Sequence, residues 1–144
     1  MSKRWSKLQT RLYGIMEPSI KFQIHCALYE MNSNDGCGIN KLPRIFITIG
    51  KDIVFDYPKE FDTTRKYGFN SHPWDPDISE IDVLIEKYIQ CPRNELMKEF
   101  EKDYWGLADI FRVCDRRIGK RRLRELRNKL ESDVLLNIID QRLQ

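Results

Sequence analysis

Residues 44–57 read RIFITIGKDIVFDY, and the reading of that stretch decides the fold. Ile45, Ile47 and Ile49 fall at every second position, as do Ile53, Phe55 and Tyr57. Such alternation places each set on one face of a half-buried strand. Only Gly50, Lys51 and Asp52 separate the runs, so a β-hairpin is expected. Upstream, Phe22, Ile24, Cys26 and Leu28 alternate with Lys21, Gln23, His25 and Tyr29, the same period of two. The natural result is a three-stranded antiparallel meander.

Outside the meander the apolar period changes to that of helices. Trp5, Leu8, Leu12 and Ile15 predict an amphipathic helix over residues 3–16, stopped by Pro18. Asp77 or Ser79 can cap a helix carrying Ile81, Leu84, Ile85, Tyr88 and Ile89. Pro92 stands where a first-turn proline belongs, opening a further helix with Leu96, Met97 and Phe100 inward. Leu107, Ile110, Phe111, Cys114 and Ile118 form the next stripe, and SDVLLNIIDQRL supplies a cap and the set Leu135, Ile138, Ile139 and Leu143. The order of helix, three strands and then helices predicts an α+β fold, with the C-terminal helical part packed on the sheet. A chain of 144 residues is expected to form one domain, 1–144, with a core large enough to need no staples.

Composition narrows the function classes. With 41% hydrophobic and 33% charged residues the chain suits a compact protein with a heavily charged surface, too aromatic for disorder. The four cysteines stand apart at 26, 37, 91 and 114, and Cys26 and Cys114 fall on apolar stripes, where burial and inertness are expected. The N-terminus lacks the apolar run of a signal peptide, and no segment reaches the length of a membrane span. A reducing cytoplasm is the expected compartment. Net charge is only +3 but is unevenly placed: residues 51–86 hold nine acids against four bases, and residues 115–130 hold eight Lys/Arg against two acids.

That basic stretch, DRRIGKRRLRELRNKL, is the loudest feature of the chain. At about 100° per residue, the apolar stripe ahead of Gly119 and the stripe of Leu123, Leu126 and Leu130 behind it differ in direction by about 130°. One straight helix cannot keep both on a single core. Gly119 is therefore expected to end one helix, so that Arg116 and Arg117 lie in a last turn and Lys120, Arg121 and Arg122 in a first turn. A pairing of Asp115 with Arg122 or Lys120 would make the junction structural. Alternatively Lys120, Arg121, Arg124 and Arg127, with Arg4 and Lys7 of the first helix, form a candidate anion or nucleic-acid surface. The pI near 8.7 is lower than the usual basic footprint of such proteins.

WSKL (5–8), EPSIKFQIHCALYEM (17–31), the hairpin and above all DRRIGKRRL (115–123) resemble a family of small bacterial cytoplasmic proteins without an assigned activity. The resemblance runs across most of the chain but not the acidic middle, residues 56–80. It implies a soluble bacterial protein and brings no cofactor or catalytic residue.

Catalytic signatures are thin. His25 and Cys26 point to opposite faces of a strand and cannot form a dyad. His72 with Asp75 and Asp77 is the one place where an imidazole and carboxylates are close in sequence, but turn formation and helix capping explain the same residues. No P-loop, nucleophile elbow or dinucleotide fingerprint occurs. No catalytic residue, metal site or cofactor is expected, and the chain reads as non-enzymatic. Six of the sixteen aromatics lie between Phe55 and Trp74, in an acidic segment without a period. Phe61, Tyr67, Phe69 and Trp74 are the candidate anchors for an unidentified protein partner, the favoured reading. Nucleic-acid or phosphate binding at residues 116–127 is the alternative.

Overall fold

The computed structural model describes residues 3–32, 39–57 and 79–144, with side chains over 5–26, 45–57 and 81–144. Helix α1 spans Lys3–Tyr13, a short 3-10 turn follows at Pro18–Ile20, and the sheet comprises β1 (Phe22–Asn32), β2 (Ile39–Ile49) and β3 (Asp52–Tyr57). Helices α2 (Ser79–Gln90), α3 (Leu107–Cys114), α4 (Lys120–Lys129) and α5 (Asp133–Leu143) come after it. The strands pair antiparallel in the order β1-β2-β3, and the fold is α+β.

Gly50 and Lys51 make the two-residue turn of the hairpin, and Gly50 has φ +61°, a left-handed conformation that carries no steric cost for glycine. One part of the alternation fails in an instructive way. Ile47 pairs with Phe55, but Thr48 pairs with Ile53, so Val54 is an extra residue in β3. This bulge reverses the facing of everything before it. Phe55 and Tyr57 are buried as expected, whereas Ile53 is 60% exposed.

Ile24, Ile45 and Ile47 on the inner face of the sheet are fully buried, as are Leu12 of α1, Tyr88 of α2 and Phe111 of α3. They belong to one continuous apolar cluster that also takes in Leu123 and Leu126 of α4 and Ile139 of α5. Phe111 stands at its centre, edge-on to Phe22 and tilted against Tyr88, with ring centroids 6.2 and 5.2 Å away. The helical part thus packs on the sheet through aromatic contacts that carry both area and geometry.

The helix expected from Pro92 does not form. Pro92 opens only a 3-10 turn, Arg93–Glu95, although Leu96 is buried and Met97 and Phe100 partly so. The carbonyls of this segment are engaged elsewhere: Arg122 donates to the Arg93 carbonyl (2.6 Å), and Arg112 donates to those of Leu96 (2.7 Å) and Lys98. Apolar spacing thus persists here without an α-helix, and arginines of α3 and α4 hold the segment in place. Asp103 accepts from the backbone N–H groups of Leu107 (2.9 Å) and Ala108 (3.1 Å) and caps α3.

Candidate anion-binding site

The site is built on the DRRIGKRRL junction. Helix α3 ends at Cys114 because residues 15–17 pair with 114–116 as a short antiparallel bridge. The Glu17 N–H donates to the Cys114 carbonyl and the Arg116 N–H to the Ile15 carbonyl, both at 2.8 Å. Asp115, with no exposed surface, lies at the centre. Its carboxylate accepts from the Tyr88 hydroxyl (2.6 Å), from the Arg117 backbone N–H (2.8 Å), and from Arg117 Nε (3.0 Å) and Nη2 (2.8 Å). Burial pushes the Tyr88 phenol well above its ordinary value and the Asp115 charge adds to the shift. Burial opposes the Arg117 charge, but the hydrogen bond and charge of Asp115 prevail and hold its pKa above the usual value.

This corrects the expected pairing. Asp115 takes Arg117, not Arg122 or Lys120, because the chain turns directly after α3 and brings a residue two positions on back over the carboxylate. Gly119 marks a break as expected, but as the residue ahead of α4, with extended backbone, not as the end of α3. Arg116 and Arg117 accordingly lie in the turn between the helices, outside any last helical turn.

Three basic residues of the junction, Arg116, Arg117 and Arg122, have internal duties. Arg116 donates to the Gly14 carbonyl (3.0 Å), and Arg122 bridges the carbonyls of Arg93 (2.6 Å) and Arg117 (3.0 Å). From α5, Arg142 reaches the carbonyls of Val113 (2.8 Å) and Ile118 (2.9 Å), and burial lowers its pKa. Of the candidate binding residues, Arg127 pairs at the surface with Asp140 of α5 at 2.7 Å.

Of the candidate binding residues on α4, Lys120, Arg121 and Arg124 remain for a ligand. All three are exposed. Lys120 and Arg124 make no ion pair or side-chain hydrogen bond among the described residues, and Arg121, with 80% of its side chain exposed, makes one ion pair one turn along the helix with Glu125 (3.0 Å). With Leu123 and Leu126 turned inward, helical geometry at about 100° per residue puts Lys120, Arg124 and Arg121 on the outer face. Beside that face a groove of about 650 Å³ runs between α4 and the 93–97 segment, lined by Arg93, Asn94, Met97, Arg121, Arg122 and Glu125. Arg93, Asn94 and Met97 were not legible as site residues. Their place depends on the 3-10 turn, which helical spacing does not predict.

The other candidates are not drawn to this site. Lys7 lines a separate shallow groove on α1 with Ser6, Thr10 and Arg11, and Arg11 pairs with Glu86 of α2 at 2.8 Å. Arg4 lies on α1, with its side chain outside the described residues; Phe61, Tyr67, Phe69, Trp74, His72, Asp75 and Asp77 lie wholly outside them. Of the aromatic segment, Phe55 and Tyr57 are core residues. His25 stacks on Phe46 (4.6 Å) and meets the Thr48 hydroxyl at 3.4 Å on the outer face of the sheet. Cys114 is buried as expected, its thiol pushed up to about 12 by burial, while Cys26 is only partly covered. Among the described residues no group of His, Cys, Asp and Glu is placed to hold a metal ion, and no helix is long and apolar enough to cross a membrane.

No curated protein and no solved structure matches this chain. A family model does match, over residues 4–83 and 75–143, a span that includes both WSKL and the Asp115 junction, and the chain belongs to the SF0329 protein family.

Proposed function

We propose that the chain is a non-enzymatic binding module that receives an anionic partner on the outer face of α4. One observation carries the reading. With Arg116, Arg117 and Arg122 used internally and Arg127 paired at the surface with Asp140, Lys120, Arg121 and Arg124 are left exposed on one helix face, with one weak surface ion pair among them. Positive charge in a first helical turn is disfavoured by the helix dipole, by roughly 0.3–1 kcal/mol per residue. An anion at this face relieves that repulsion. The resemblance to bacterial cytoplasmic proteins, with the free thiols of Cys26, Cys91 and Cys114, supports a reducing bacterial cytoplasm as the compartment.

Anisotropy titration with labelled RNA, DNA and polyglutamate at about 50 and 150 mM salt tests the reading. Binding of at least one polyanion is expected, weakening steeply with salt. For a nucleic acid, the double variant Arg121→Glu/Arg124→Glu lowers the salt slope by about two. Flat curves at low salt with every probe would remove this function. The search would then move to a protein partner of the acidic aromatic segment, a reading supported by sequence alone and anchored on Phe61, Tyr67, Phe69 and Trp74.

A further inference from the structure

We propose that the groove between the 93–97 segment and α4 holds a nucleotide unit of a single-stranded nucleic acid. Its phosphate lies on Arg93 and Arg121, and its base on the Met97 wall. The proposal rests on the anionic-partner reading and names the partner class.

The lining has three guanidiniums, Arg93, Arg121 and Arg122, against one carboxylate, Glu125. Arg122 is pinned by two backbone carbonyls on its two terminal nitrogens, so its planar group is a fixed wall. The Arg93 side chain is exposed and without a partner among the described residues. Arg121 is held only by the exposed pair to Glu125, which releases at little cost. Two cations are thus available for a phosphate, beside a half-buried thioether and the exposed amide of Asn94. Guanidinium planes and apolar side chains are the surfaces on which unpaired bases stack, and an amide beside a carboxylate offers both donors and acceptors to a base edge. The volume, about 650 Å³, lies within the range of pockets that enclose small organic ligands. A duplex keeps its bases stacked inside a convex rod and leaves such a groove unfilled. A purely acidic chain such as polyglutamate matches the cations but has no aromatic ring to lay on the Met97 wall. Lys120 and Arg124, on the adjoining face of α4, take the neighbouring phosphates along the strand.

The test uses the full chain with labelled oligouridylate, oligothymidylate, a duplex of equal length and polyglutamate. Arg93→Glu and Asn94→Ala alter exposed side chains only, and thermal melts confirm that both variants fold. Single strands are expected to bind about tenfold or more tighter than the duplex, and Arg93→Glu to weaken them by about tenfold. Equal or tighter duplex binding, or an unchanged Arg93→Glu beside a failed Arg121→Glu/Arg124→Glu, overturns the groove assignment and leaves the α4 reading standing. Binding of polyglutamate alone overturns the nucleic-acid assignment in the same way. Silence with every probe at low salt removes both.

Discussion

A carboxylate as deeply buried as Asp115 is tolerable only with a paired charge and satisfied lone pairs, and Arg117 and Tyr88 supply both. Removing it leaves a half-buried guanidinium uncompensated. Asp115→Ala is expected to cost about 3–5 kcal/mol in urea unfolding, whereas Arg124→Ala stays within about 0.5 kcal/mol because nothing depends on it for folding. Tyr88 adds a pH dependence whose sign is fixed by burial. Its folded pKa lies above the ordinary phenol value of 10.0, so the native state keeps a proton that the unfolded chain releases. That contribution is complete below the unfolded value and is lost as pH rises through the folded one. Tyr88→Phe is therefore expected to flatten the fall in stability above pH 10.0 while costing about 1–3 kcal/mol at neutral pH, read from denaturation midpoints across the range. An alkaline slope from Cys114, raised to about 12, persists in the variant.

The elements of the C-terminal half are short, and what lies at their ends matters as much as their stripes. Helix α3 has eight residues, too few to be stable alone, and begins after Gly106 at φ +72°, a residue with no side chain to cap it. Asp103 provides the cap from outside the helix by accepting two of its first N–H groups. Asp103→Ala is expected to destabilise the protein by about 0.5–2 kcal/mol, with amide exchange accelerating first at Leu107 and Ala108. At the start of α5, Ser132 does the same work from within the usual position, accepting from the Leu135 N–H at 3.4 Å. In the 92–103 segment, by contrast, the contacts come from outside: Arg112 and Arg122 donate to the carbonyls of Leu96 and Arg93.

Across the whole molecule, the bridge between residues 15–17 and 114–116 fastens the N-terminal helix to the C-terminal helices, and the apolar cluster runs without a gap from α1 to α5. Distant core positions are therefore expected to share one unfolding event. Leu12→Ala and Ile139→Ala, at opposite ends of the chain and both fully buried, are each expected to cost about 2–5 kcal/mol. Fluorescence and far-ultraviolet circular dichroism should then report one coincident transition in both variants. Two separated transitions would show that the halves fold independently. The same closure explains the electrostatics: stitching the ends together consumes the inner guanidiniums and leaves the outer ones as the uncompensated face.

The sequence alone determined the elements whose stripes face a core in register. The hairpin, α1, α2 and α5 were legible because a period of two or 3.6 is a local property of spacing, and burial rewards it directly. The break near Gly119 was legible for the same reason, as two stripes in different directions cannot share one helix. Tertiary structure decided what depends on atoms far apart in the chain. The Val54 bulge exposes Ile53, since a single inserted residue leaves composition and apolar content unchanged while reversing the pleat. The segment after Pro92 is held by Arg112 and Arg122, which reach its carbonyls from other elements, and apolar spacing carries no sign of that. The candidate site belongs with these. A run of arginines has the same spacing whether its members hold carbonyls or face water, and only packing separates Arg117 and Arg122, anchored inside, from Arg93, Arg121 and Arg124, turned outward.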